Sequence, residues 1–206
     1  RDTWVIFVHG RGANRREALR MLPTAVKLGL PALMITYRND EGAPASPDGY
    51  YRFGATEWQD LEAAVTYAME HGAKRLILVG YSMGGAVVIS FLYDSPMAKQ
   101  VVGAILDSPV LNFGAVIDFG ARRAGYPVPL TWMGKTIAGY RFGIDWKGLD
   151  YLSRASRLAA PILLFHGRAD DQVPFETSEA LARARPDIVT FVRSADANHV
   201  RSWNMN

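Results

Sequence analysis

Apolar runs and amphipathic stretches alternate along the chain from end to end. Thr3 to Val8 (TWVIFV) is an apolar run closed by His9 and Gly10, and its length and bounding glycine predict a buried strand. Leu19, Leu22, Val26 and Leu30 then recur at three- or four-residue spacing, which predicts a helix from Arg15 to Leu28. Ala32 to Tyr37, after Pro31, predicts a second strand. Arg38 to Phe53, rich in Gly, Pro, Asp and Asn, predicts a loop. Trp58, Leu61, Ala64, Val65 and Ala68 mark the next helix, stopped near Gly72. Beyond it the pattern predicts strands over Arg75 to Val79, Val101 to Leu106, Ile162 to Phe165 and Ile188 to Val192. Helices are predicted over Met83 to Tyr93 and Phe175 to Arg185. Alternation of this kind implies a mostly parallel sheet with helices on both faces.

One stretch interrupts the alternation. Leu111 to Arg157 separates two strands by far more than an ordinary crossover and is loaded with Phe, Trp, Tyr, Gly and Pro. Residues 1–110 and 158–206 therefore form the expected core, and 111–157 a small helical insertion above the sheet. Two readings stand for its apolar residues Phe113, Val116, Ile117, Trp132, Met133, Ile137 and Phe142: they pack on the insertion and the strand ends, or they line a substrate pocket.

Composition narrows the function classes. At 206 residues the chain accommodates one domain with an insertion. Hydrophobic residues at 49% and charged residues at 21% exclude a disordered or fibrous class. Cysteine is absent, which removes disulfides, thiolate metal sites, iron–sulfur clusters and a cysteine nucleophile. The net charge is only +3, and the densest basic stretch holds just Arg11, Arg15, Arg16 and Arg20. That is a solvated face rather than the footprint of a nucleic-acid binder, so no nucleic-acid partner is expected. No apolar run reaches the length of about 18 residues needed for a transmembrane helix. The chain opens at Arg1, two residues ahead of a strand and without a leader, as expected of a trimmed N-terminus.

The strongest local signal is Gly80-Tyr81-Ser82-Met83-Gly84-Gly85, directly between a predicted strand and a predicted helix. This is the context of a nucleophile elbow. So tight a turn strains the backbone of the central serine and exposes its hydroxyl, and Gly80 and Gly84 remove side chains that would collide. A serine hydroxyl stays a weak nucleophile until a base takes its proton, and the base needs an acid to orient it.

Four histidines are available. His9 and His166 each end an apolar strand before a glycine, where they suit holding loop backbone, and His71 suits a cation at a helix end. His199, in the loop after the last strand, is the candidate base. The candidate acid is Asp170, with Asp107 a rival because it ends a strand from which a base above the sheet is reachable, and Asp171 a third choice. The order Ser82, Asp170, His199 is the one this architecture uses. Two main-chain N–H groups must hold the developing oxyanion; Met83, opening the helix, and Arg11, in the loop after the first strand, are the candidates.

The set calls for no cofactor and no metal. A competing reading takes Gly10-Arg11-Gly12-Ala13-Asn14-Arg15 and Arg38 as a dinucleotide-binding turn. It puts Arg15 where a third glycine is needed and leaves Ser82, Asp170 and His199 unexplained.

With those residues assembled, the chain resembles the α/β-hydrolase family over essentially its whole length. The resemblance rests on His9-Gly10, the Ser82 elbow with Gly85, His166-Gly167-x-x-Asp170 with Val173-Pro174, and Asn198-His199. It is most similar to the branch holding monoacylglycerol-lipase-like enzymes and hydrolases labelled serine aminopeptidases. The resemblance implies an α/β-hydrolase fold with a helical cap, an acyl-enzyme mechanism and a small-molecule acyl ester as partner. Family members usually carry antiparallel strands before the His-Gly strand and a helix after the base. This chain starts at the former and ends at Asn206, so such elements, including any membrane anchor, are expected outside it. The expectation is a carboxylic-ester hydrolase for short- to medium-chain acyl groups. Two alternatives stay open: an aminopeptidase or amidase, with Glu57, Asp40 or Glu41 available for an α-ammonium, and a non-catalytic binder of a hydrophobic ligand.

Overall fold

Alternate residues of the apolar runs face opposite layers, and this period of two organises the molecule. A computed structural model describes residues 1–202. Its strands are β1 (Thr3–Val8), β2 (Ala32–Met34), β3 (Arg75–Tyr81), β4 (Val101–Asp107), β5 (Ile162–Gly167) and β6 (Val189–Ser194). They form one sheet in the order β2-β1-β3-β4-β5-β6, with every pairing parallel. Ile6 and Val8 of β1, with Leu76 and Leu78 of β3, enter the larger core beneath α2 (Trp58–Glu70) and α3 (Met83–Asp94). Val5, Phe7, Val79 and Tyr81 enter a smaller core on the other face, closed by Ala18, Met21 and Ala25. Burial on both faces explains why these strands read as continuous apolar runs.

Two predicted elements come out differently. The helix expected from Arg15 to Leu28 is a 3-10 helix (Arg15–Arg20) followed by α1 (Leu22–Lys27). Pro23 sits in the first turn of α1, where its missing N–H costs nothing, but it cannot continue a helix arriving from behind. The buried stripe is Ala18, Met21 and Ala25, while Leu19 and Val26 face solvent. The second strand stops at Met34 because it lies at the sheet edge with a single neighbour, and Tyr37 leaves it to stack on His9 at 4.5 Å between ring centroids.

Between β4 and β5 the chain forms α4 (Phe113–Arg123), α5 (Val128–Phe142) and a 3-10 helix (Tyr151–Arg157) that returns to the core with Tyr151 and Ala155 buried. Phe113, Val116 and Ile117 of α4 line a cleft above the sheet. No residue of α5 is buried, and its Trp132 and Ile137 are 68% and 56% exposed. The apolar residues of this segment therefore divide by helix: those of α4 face the cleft and those of α5 face solvent. A last helix, α6 (Phe175–Ala184), packs Leu181 into the larger core.

Candidate active site

β3 ends at Tyr81 and α3 begins at Met83, so Ser82 alone makes the turn, at φ 49° and ψ −116°. A non-glycine residue there is strained and persists only when its surroundings over-determine it. They do: the Ser82 N–H donates to the Asp107 carbonyl at 3.0 Å, and the Ser82 carbonyl accepts from Gly85 N at 3.0 Å and Val110 N at 3.1 Å. The elbow glycines meet specific neighbours. A Cβ on Gly80 would lie 2.7 Å from the Gly84 carbonyl oxygen, and one on Gly85 2.5 Å from Pro109 Cβ. One on Gly84 would lie 2.1 Å from the Val8 carbonyl oxygen, so this glycine admits β1 rather than relieving the turn itself. Gly84→Ala should therefore destabilise the fold by about 3 kcal/mol, since backbone must move to make room. Urea unfolding of the variant beside wild type measures the loss.

His199 completes a chain of hydrogen bonds from Ser82. Its Nε2 lies 2.9 Å from Ser82 Oγ and its Nδ1 2.8 Å from Asp170 Oδ2. A carboxylate has no proton to give, so Nδ1 carries the imidazole proton and Nε2 is left to accept from the serine. Gly167 makes this approach sterically open: a Cβ there would lie 1.9 Å from the Ala197 carbonyl oxygen, so only glycine lets the loop before His199 cross the end of β5.

Asp170 is saturated with donors. Its Oδ1 accepts from Gln172 N and Val173 N, both at 2.9 Å, and its Oδ2 lies 3.1 Å from His166 Nε2 as well as facing His199. Burial acts to raise its pKa, but hydrogen bonds from His166 and His199, with that from Val173 N, outweigh it and hold the carboxyl well below the usual carboxylate range.

His166 is the residue that sequence reasoning undervalued. Fully buried, it touches loop backbone as expected, at 3.3 Å from the Val173 carbonyl, but it also binds Asp170 and is anchored through Nδ1 to Ser178 Oγ at 2.7 Å. The available signal was the four-residue spacing from His166 to Asp170 across one strand end.

Asp107 and Asp171, the other candidate acids, are not bonded to His199. Asp171 is exposed, and its N–H approaches Asn198 Oδ1 at 3.4 Å. Asp107 is buried, and burial pushes its carboxyl up to about 6, opposed in part by the nearby Ser202 hydroxyl and by His166. That hydroxyl does not reach hydrogen-bond geometry: among the described residues, neither Asp107 Oδ2 nor Ser202 Oγ has a partner. A carboxyl whose folded pKa lies above its unfolded one stabilises the fold fully below the unfolded pKa, and that stability is lost as pH rises through about 6. The loss is about 2 to 3 kcal/mol. Asp107→Asn should abolish it, so the stability of the variant relative to wild type is greater at pH 8 than at pH 4 by that amount. Urea unfolding at the two pH values checks the sign.

The remaining histidines are tied up elsewhere. His9 bridges Asp40 at 2.9 Å and the Gly10 carbonyl at 2.8 Å, and His71 contacts the Tyr67 carbonyl at 2.7 Å. The dinucleotide reading fails on charge. Glu17 Oε2 accepts from Gly10 N at 2.7 Å, which puts a carboxylate where a pyrophosphate would need the loop N–H, and Arg38 is paired with Asp60 at 2.7 Å. Arg11 and Met83 line the same cleft as Ser82 and His199, a space of about 580 Å³. Met83 opens α3, so its N–H has no partner within the helix, and no Ser82 side-chain cap covers the first turn.

Residues 5–205 match the sequence profile of the alpha/beta hydrolase family. The chain belongs to that family. Alpha/beta hydrolases of known structure share its fold. It is similar to the Pyrococcus furiosus esterase Pf2001, at a TM-score of 0.74 and 24% identity over 97% of this chain and 74% of that one. It is also similar to an esterase from Exiguobacterium antarcticum (TM-score 0.70, 16% identity, 97% of this chain and 85% of that one). A monoacylglycerol lipase from Paleococcus ferrophilus follows at TM-score 0.67 and 19% identity, covering 95% of this chain and 85% of the lipase. In sequence, the uncharacterized protein YfhR of Escherichia coli K12 is 22% identical over 200 residues, covering 97% of this chain and 64% of YfhR. The uncharacterized protein Rv2307c of Mycobacterium tuberculosis is 26% identical over 200 residues, covering 95% of this chain and 62% of its own length. The chain thus spans somewhat less than two thirds of each of these two relatives. Among the described residues, no helix is long and apolar enough to cross a membrane.

Proposed function

We propose that this alpha/beta hydrolase is a serine carboxylic-ester hydrolase that works through an acyl-enzyme. The observation that carries the reading is the unbroken chain from Ser82 Oγ through His199 to Asp170 Oδ2, at 2.9 and 2.8 Å. Ser82 attacks the ester carbonyl while His199 Nε2 takes its proton. The main-chain N–H groups of Met83 and Arg11 hold the oxyanion, and each such donor is worth about 2.7 to 4 kcal/mol in the transition state. His199 returns the proton to the departing alkoxide, and water repeats the sequence to release the acid. Asp170 orients His199 and stays ionised, with His166 as its second imidazole donor. Residues 111–157 act as the cap, with α4 supplying the apolar wall against the acyl group.

An ester is favoured over an amino-terminal peptide because two of the three carboxylates available for an α-ammonium are already committed. Glu57 is fully buried and accepts from Arg52 N at 2.5 Å and Gly54 N at 2.9 Å. Asp40 accepts from His9, Tyr37 N and Tyr51 Oη at 2.8 to 2.9 Å. Glu41 lines a neighbouring cavity that shares only Gly12 and Ala13 with the cleft of Ser82. The relatives of similar fold that are named as esterases and as a lipase support the same choice.

A fluorophosphonate probe tests the reading. It should label one residue stoichiometrically, located at Ser82 by peptide mass spectrometry, and prior acylation with a p-nitrophenyl ester should slow the labelling. Labelling elsewhere, or none, rejects the assignment.

A further inference from the structure

The loop entering α2 holds a bulky residue in a backbone conformation it disfavours. Phe53 has φ 52° and is followed by Gly54 at φ 103°. An aromatic residue in the left-handed region is an outlier that its surroundings must impose. The buried carboxylate of Glu57 does so by accepting from Arg52 N and Gly54 N on either side, at 2.5 and 2.9 Å. Tyr151 Oη donates to the Phe53 carbonyl at 2.8 Å, and a Cβ on Gly54 would lie 2.6 Å from that same hydroxyl. The ring is stacked as well: its centroid lies 3.6 Å from that of Phe113, which stacks in turn on Trp146 at 5.7 Å.

This ring occupies a particular place. A second cavity of about 420 Å³ lies beside the far half of α3, walled by Ala55, Ser90, Ile144, Leu149 and Tyr151. Its volume falls in the range of roughly 300 to 1,000 Å³ usual for small-molecule sites. Among the described residues, Phe53 alone lines both this cavity and the cleft that holds Ser82. At 1.5 Å per residue, Ser90 stands about 12 Å along α3 from Ser82, so the cavity continues from the cleft away from the nucleophile. At its rim Asp94 is paired to Arg154 at 3.2 Å and Arg52 to Asp48, and although Thr56, Ser90 and Asp145 also line it, the greater part of its wall is apolar.

We propose that Phe53 is the end wall of the acyl site: it limits the length of acyl chain accepted by closing the cleft off from the distal cavity, which has room for the remainder of a longer chain once the ring is gone. The proposal rests on the ester-hydrolase reading for its substrate and on the two cavities for its geometry.

The test is the chain-length profile of p-nitrophenyl esters from butyrate to palmitate. Phe53→Gly removes the ring and is at ease at this positive φ, and Phe53→Leu removes part of it. The ratio of kcat/KM for laurate over butyrate should rise at least tenfold in Phe53→Gly and by less in Phe53→Leu. Adding Ala55→Trp to Phe53→Gly should fill the distal cavity and return the ratio to the wild-type value. A ratio unchanged by Phe53→Gly, or a rise that Ala55→Trp does not reverse, overturns the proposal.

A binding measurement separates this outcome from a failure of the ester reading. In the Ser82→Ala background, displacement of cis-parinaric acid by laurate should tighten on Phe53→Gly and weaken again on Ala55→Trp. If that pattern appears while wild type turns over no ester, the partition stands and the ester reading falls. If esters are hydrolysed and the pattern is absent, the reverse holds.

Discussion

Ser82→Ala should lose about a million-fold in turnover, the scale expected if Ser82 is the nucleophile of a three-residue unit. The loss should appear in kcat, with KM for a p-nitrophenyl ester little changed, because the cleft walls at Phe113, Val116 and Ile117 are untouched. The hydrogen bonds of residue 82 to the Asp107 and Val110 backbone are main-chain ones, so the fold and the φ of 49° should survive the substitution. Steady-state hydrolysis beside wild type, with matched thermal melts, makes the comparison. A variant that retains turnover within tenfold of wild type removes Ser82 from the mechanism, and with it the acyl-enzyme.

Asp170→Asn should cost about ten-thousand-fold in kcat, as a carboxylate-to-amide change does when it leaves geometry intact but misorients the base. The amide oxygen can still accept from Gln172 N and Val173 N, but the amide nitrogen then faces both imidazoles and donates where His199 and His166 also donate. His199 is driven to the tautomer with its proton on Nε2, which cannot take the proton of Ser82. The control is Asp107→Asn, which should keep turnover within a few-fold, because Asp107 makes no hydrogen bond to His199. If the two variants exchange these outcomes, the acid is Asp107. The carboxyl of Asp170, held low, also contributes stability that is present at neutral pH and lost as pH falls through its depressed value. Asp170→Asn should therefore flatten the acid limb of the stability profile in urea unfolding.

Much of the fold was legible because its signals are short-range. Runs such as TWVIFV and the helix spacing of Trp58, Leu61 and Val65 depend on periodicities of two and 3.6 residues, which the backbone imposes locally. The helix from Arg15 was misread because Leu19 and Val26 mimic an apolar stripe, whereas the neighbouring layer buries the smaller Ala18 and Ala25. Packing against a second surface overrides spacing there. The second strand was read too long for a similar reason: Tyr37 is apolar enough for a strand, but His9 offers it a ring to stack on.

The sequence by itself determined the alternation of strands and helices, the serine at the elbow and the histidine after the last strand. Each of these is encoded by residues adjacent along the chain. Tertiary structure alone decided which carboxylate meets that histidine, since Ser82 and His199 are 117 residues apart, Asp107 ends β4 and Asp170 lies in the loop just after β5. It decided that His166 is bonded to the acid, that Gly84 makes room for β1, and that Glu57 is spent on holding Phe53 in place. It also decided which helix of the insertion lines the cleft. These are choices among partners brought together from distant parts of the chain, and no local preference distinguishes one buried carboxylate, or one apolar helix, from another until the layers are packed.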